Sequence, residues 1–80
     1  MTKKYRIRFE GPSVLAVQVA TELADADGID LTSSKPPLAL DAHTFALEMT
    51  VEATPAAVDA AVESISRDLP EGASIHVVDR

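Results

Sequence analysis

A layered α+β domain is what the sequence predicts: one antiparallel sheet of four strands, with two helices packed on one of its faces. Three observations carry that expectation. Apolar and polar residues alternate with a period of two near residues 5–10, 44–51 and 73–78. Apolar residues recur at spacings of three and four near 14–25 and 55–69, and Gly or Pro stands at most of the junctions. With 80 residues the chain is expected to form one domain, 1–80, with no linker.

The first strand is read from Tyr5-Arg6-Ile7-Arg8-Phe9-Glu10, whose alternation sets Tyr5, Ile7 and Phe9 on one face. Gly11-Pro12-Ser13 stops it. Ser13 is expected to cap a helix running to about Asp25, because its hydroxyl oxygen could accept from the unpaired N–H groups of the first turn. At about 100° per residue, Leu15, Ala16, Val19, Ala20 and Leu23 gather on one side of that helix, and Gln18, Glu22 and Asp25 on the other. Val14 and Val17 fall outside the apolar stripe. Gly28 is placed to supply the left-handed backbone that a helix exit uses.

Ile29 and Leu31 then alternate with Asp30 and Thr32 as a second strand. Pro36-Pro37 removes donors and fixes φ, so the segment belongs at an edge or in a loop, and residues 35–43 are read as a long hairpin loop. Thr44 to Val51 is the clearest strand, with Phe45, Leu47, Met49 and Val51 on one face, and is expected at the centre of the sheet. Thr54-Pro55 opens the second helix, since threonine can cap and proline at the first position loses only an orphan N–H. Val58, Ala61, Val62, Ile65 and Leu69 form its stripe. After Pro70-Glu71-Gly72, Ala73, Ile75 and Val77 alternate with Ser74, His76 and Val78 in the last strand.

Strand, helix, strand, strand, helix, strand, joined by right-handed and unknotted connections, is the order of a ferredoxin-like βαββαβ sandwich with spatial strand order 4-1-3-2. Tyr5, Ile7, Phe9, Phe45, Leu47, Met49, Val51, Ile75 and Val77 should meet the helices. The other face should show Lys4, Arg6, Arg8, Glu10, Asp30, Thr32, Ala46, Glu48, Thr50, Glu52, Ser74 and His76. Because the first strand would lie beside the third, Arg6 and Arg8 are expected to pair laterally with Glu48 or Glu52.

Composition narrows the function. Thirteen acidic against seven basic residues give a net charge of −6, which repels nucleic-acid backbones and anionic lipid. Four of the bases, Lys3, Lys4, Arg6 and Arg8, fall within the first eight residues. An RNA-recognition module of this strand order stacks bases on outward aromatics, whereas here the periodicity turns Tyr5, Phe9 and Phe45 inward. No nucleic-acid partner is expected. No apolar run reaches the ~18 residues of a membrane span, and Glu10 and Gln18 interrupt the start as a signal peptide, so no membrane is expected and the expected location is cytoplasmic.

Chemical motifs are sparse. Cysteine is absent, which removes thiolate metal sites and a thiol nucleophile. Asp41-Ala42-His43 offers two ligands of a metal site without a third, and His76 reads as a solvent-facing strand residue. The serines sit in no nucleophile elbow, and the three glycines match no phosphate loop. Catalytic residues, metal and cofactor are all expected to be none, and an enzyme is not expected. What remains is the uncovered sheet face, represented by Arg6, Arg8, Glu48, Thr50 and His76, as an interaction surface.

One stretch resembles a known family. Gly11-Pro12, Leu15, Val19-Ala20, Leu23-Ala24 and Gly28-Ile29-Asp30-Leu31, within the run from Arg6 through Leu31, resemble the first half of an ACT domain. That resemblance implies a regulatory module that pairs side by side and binds an amino acid or similar effector where the turn meets a neighbouring subunit, with Gly11, Pro12, Ser13 and Val14 nearest the ligand. Two functions are therefore carried forward. The first is a small non-enzymatic interaction module, an accessory subunit, adaptor or inhibitor, that meets a larger protein or a second copy through its open sheet face or edge. The alternative is a stand-alone ACT-like domain binding a small-molecule effector at a homodimer interface.

Overall fold

The computed structural model describes residues 1–78. Its elements run β1 (Lys3–Gly11), α1 (Ser13–Asp25), β2 (Ile29–Ser34), β3 (Leu38–Ala39), β4 (Phe45–Ala53), α2 (Pro55–Asp68) and β5 (Ser74–Val77). β1 starts two residues earlier than its alternation suggests, because Lys3 and Lys4 pair with Ala53 and Glu52 of an equally extended β4. All strand pairings are antiparallel.

The expected count of four strands is corrected. Leu38 and Ala39, assigned to a loop, pair with Ala46 and Phe45 as β3. The sheet has five strands, in the order β2-β4-β1-β5 with β3 off that path on β4; the short β3 is what the expected four-strand count lacked and it shifts the numbering, while the other four strands keep the neighbours of the order 4-1-3-2. β2 takes residues 49–53 of β4 and β3 takes 45–46, so the two share one edge of it. The gap between them holds Pro36-Pro37, whose missing N–H groups could not continue a ladder.

β2 is irregular as well. Its register shifts between Leu31 and Ser33, leaving Thr32 as the extra residue of a β-bulge. Ser33 stands opposite Thr50, and the Thr32 hydroxyl donates to the Thr50 carbonyl oxygen at 3.1 Å.

Both helices cover the face that alternation assigned to the core. Ile7, Phe9, Leu23, Met49, Val51 and Val58 are the largest side chains shut off from solvent, and Ala16, Val19, Leu47, Ile65 and Ile75 are buried with them. No polar or charged side chain is buried among the described residues, so the core holds together by apolar burial and close packing alone. Two inward assignments need adjustment. Phe45 stands opposite Gly11 at one end of the sheet, half-buried and outside the core cluster, and Val77 is only partly covered. Ala46, assigned to the open face, is buried there, with Glu10 and Leu38 as its neighbours in register.

The helix ends follow their local chemistry. Thr54 caps α2, its side-chain oxygen accepting from the Ala57 N–H at 3.2 Å, with Pro55 at the first helical position. The expected Ser13 cap is not formed. Pro12 is the cap residue, with extended backbone and no side-chain hydrogen bond, and its carbonyl accepts from Leu15 and Ala16. Proline fixes φ near its observed −60°, which leaves Ser13 already inside the first turn. Both helices exit through the same device. The Ile29 N–H returns to the Ala26 carbonyl and that of Ala73 to Pro70, each at 3.2 Å, with Gly28 (φ 78°) and Gly72 (φ 91°) at the position where such a turn needs positive φ.

Candidate functional site

The uncovered face of the sheet brings together the five residues predicted to form an interaction surface. Register places Glu48, Arg8 and His76 in one row across β4, β1 and β5, and Thr50 beside Arg6 in the next. Glu52 and Lys4 make a third row. Down the strands, β1 carries Lys4, Arg6 and Arg8 in succession, whereas β4 carries Glu52, Thr50 and Glu48. A basic stripe thus runs beside an acidic one.

Glu48 is the hub. Its Oε1 lies 3.8 Å from Arg6 Nη1 and 3.5 Å from Lys35 Nζ, and its side chain keeps only 22% of its exposure. Arg8 departs from the expected lateral pairing: its Nε donates to Glu10 Oε2 of the same strand at 2.8 Å. Residues two apart on one strand face are ~6.6 Å apart, within easy reach of an arginine, and Glu48 is already engaged by two cations. Glu52 accepts from the Thr2 hydroxyl at 3.3 Å. Exposed pairs of this kind contribute about 0–1 kcal/mol each, so they organise the face more than they stabilise the fold.

The turn residues implied by the ACT resemblance lie at the opposite end of β1 from Lys3. Gly11 is buried, and a Cβ there would sit 2.8 Å from Phe9 Cζ and 2.9 Å from Ala73 Cβ, so close packing requires the glycine. Pro12, Ser13 and Val14 are exposed, Val14 by 68%. None of the four lines the groove beside α1 or the groove between the helices.

Those grooves were not foreseen. One, of about 420 Å³, lies between α1 and the break in the edge strand, with Val17, Ala20, Pro36, Pro37 and Leu47 among its walls. Its sequence signals were the off-stripe Val17, which is 69% exposed, and the proline pair. The other, of about 540 Å³, runs between the helices, with alanines 57 and 61 on its walls and Glu22, Asp25, Asp27 and Asp68 beside them. Periodicity names the buried stripe of each helix but not the gap left between two of them.

Asp41 serves the hairpin tip. Its Oδ1 accepts from the backbone N–H groups of His43 and Thr44, both at 2.8 Å. Those hydrogen bonds, that of His43 foremost, hold its carboxyl below the ordinary carboxylate range. No group of three or more potential metal ligands occurs among the described residues. No helix among them is long and apolar enough to cross a membrane.

With the geometry in view, solved structures supply a comparison. The ACT domain of the GTP pyrophosphokinase of Chlorobium tepidum superposes with a TM-score of 0.76 at 12% identity, over 98% of this chain and 100% of that one. The fold is ACT-like. A second ACT-like neighbour, the C-terminal domain of the MgtC protein from Mycobacterium tuberculosis, superposes with a TM-score of 0.70 at 13% identity, over 96% of this chain and 88% of that one. At such identities the likeness is one of backbone architecture. No family model matches the chain, and no curated protein does.

Proposed function

We propose that this chain is a small non-catalytic interaction module, of the regulatory kind, that works through the open face of its ACT-like sheet. One observation supports this above others: the helices cover a single face, and the face they leave bare carries a basic stripe on β1 directly beside an acidic stripe on β4. Charges ordered in stripes steer a partner and fix its register better than they hold it, which suits a regulatory contact. The test uses material from the source cells. Proteins retained by the parent chain should be lost with Arg6→Glu/Arg8→Glu and kept with Val17→Glu, a change on the helix side. Equal retention by both variants would refute a role for the face.

The second reading is a stand-alone effector domain. It is favoured by α1, whose first turn contains no acidic residue and whose exposed Val17 borders the apolar groove against Pro36 and Pro37. A small effector with an apolar body, such as an amino acid, would lie in that groove, with Lys35 on its wall for an anionic end. A thermal-melt screen against amino acids and nucleotides distinguishes the readings, because a bound effector raises the midpoint by mass action. A flat response across the screen refutes this second reading.

A further inference from the structure

The open face is unlike the rest of the molecule in its charge. The protein carries a net charge of −6, yet among the described residues four bases (Lys4, Arg6, Arg8 and Lys35) and four acids (Glu10, Asp30, Glu48 and Glu52) balance on or over this face. The acidic excess lies elsewhere. A neutral face on which Lys4, Arg6 and Arg8 of β1 run beside Glu48 and Glu52 of β4 fits neither a uniformly basic nor a uniformly acidic partner. It fits its own copy.

Resting on the reading of this face as the interaction surface, we propose that two copies of the chain pack sheet to sheet about a two-fold axis parallel to the strands and lying over the β1–β4 seam. Such an axis exchanges the two strands while keeping each residue at its own level along them. β1 of one copy then lies over β4 of the other. Register within the sheet matches Lys4 with Glu52, Arg6 with Thr50 and Arg8 with Glu48, so the same matches recur across the interface. Lys4 and Arg8 of each copy meet Glu52 and Glu48 of its mate, which gives four opposite-sign contacts by symmetry.

The charge pattern also rejects the alternative axis. A two-fold perpendicular to the strands would set β1 over β1 and β4 over β4, with arginine and lysine facing arginine and lysine; like charges so placed cost several kcal/mol. The chosen axis keeps the two sheets nearly aligned, as twisted sheets pack face to face. The 9, 9, 6 and 4 residues of β1, β4, β2 and β5, at ~3.3 Å per residue and ~4.8 Å between strands, give ~900 Å² of sheet plane covered in total. That is the low end of specific interfaces, so association should be weak, with a dissociation constant of roughly micromolar or above.

The test is a charge-swap complementation followed by sedimentation velocity and native mass spectrometry. Lys4→Glu/Arg8→Glu makes both stripes acidic, and Glu48→Lys/Glu52→Lys makes both basic, so each variant alone should be monomeric where the parent dimerises. Mixed, they should form a heterodimer, because the acidic reversed β1 of one copy then faces the basic reversed β4 of the other, and the two unreversed stripes likewise meet with opposite sign. Circular dichroism checks that both variants fold. A readout needing no variant is the concentration dependence of amide shifts in the parent, which should centre on residues 4–8 and 48–52. A parent that stays monomeric up to roughly millimolar concentration, a dimer that survives both reversals, a mixture that fails to associate, or shifts centred on β2 and β3 would each overturn the proposal. A monomeric parent that still captures a partner through Arg6 and Arg8 would overturn it while leaving the broader interaction role intact.

Discussion

Replacing Gly11 with alanine asks whether this glycine exists for packing or for a ligand's approach. Its φ is not positive, so alanine meets no backbone penalty of the left-handed kind. The obstacle is space. The new methyl would lie 2.8 Å from Phe9 Cζ and 2.9 Å from Ala73 Cβ. Both approaches fall roughly half an ångström or more inside ordinary carbon–carbon contact, where repulsion rises steeply. Phe9 has no exposure through which to swing aside, and the Ala73 methyl is fixed to the main chain. Overpacking of this kind costs about 1–3 kcal/mol, against about 0.4–1 kcal/mol returned by a stiffer unfolded chain. The expected net loss is ~1–2 kcal/mol, which in a domain of this size lowers Tm by roughly 5–15 °C. Urea unfolding followed by circular dichroism should show a lower midpoint at unchanged slope. The double variant Gly11→Ala/Ala73→Gly should recover part of the loss, with a coupling of at least ~0.5 kcal/mol. If Gly11→Ala matches or exceeds the parent in stability, the packing argument is wrong, and the glycine is free to serve another purpose.

Other perturbations probe the caps, the turns and the hairpin tip. Thr54→Ala should lower stability by about 1 kcal/mol, because the Ala57 N–H loses its side-chain acceptor, whereas Ser13→Ala should stay within about 0.5 kcal/mol, since Ser13 caps nothing; urea midpoints of the pair decide it. Gly72→Ala meets no atom within 4 Å, yet a φ of 91° should cost ~1 kcal/mol or more; a loss below that of Thr54→Ala would show that the turn relaxes freely. Asp41 should titrate below 3.8 in a carboxylate-resolved NMR titration. A carboxyl lowered on folding adds stability above its unfolded value and loses it as pH falls through the folded one. Amide protection of His43 and Thr44 should therefore persist at neutral pH and fade only in acid below the ordinary carboxylate range. Protection unchanged in that acid range would remove Asp41 from the tip's hydrogen bonding.

The open face was legible because strands obey a strict period of two. Arg6, Arg8, Glu48 and Thr50 had to share a side once Ile7, Phe9, Leu47 and Met49 were buried on the other. Which charge meets which was not legible. Arg8 can reach Glu10 along its own strand or Glu48 across the ladder, and only the crowding of Glu48 by Arg6 and Lys35 decides between them. Ser13 misled for a similar reason. A hydroxyl before an apolar run is a sound cap signal, but the fixed φ of Pro12 moved the helix boundary back by one residue.

By itself the sequence determined the kinds of element, the buried stripes of both helices and the polarity of each sheet face, because these depend on spacing along one segment. Tertiary structure decided what depends on two segments at once. Leu38 and Ala39 became a strand only because β4 offered them a vacant edge beyond the proline pair, and Thr32 became a bulge only because β2 had to stay in register with β4. Both grooves exist between elements rather than within any. Local periodicity is written residue by residue, whereas pairing energy resides in the partner, so an isolated strand cannot announce the company it will keep.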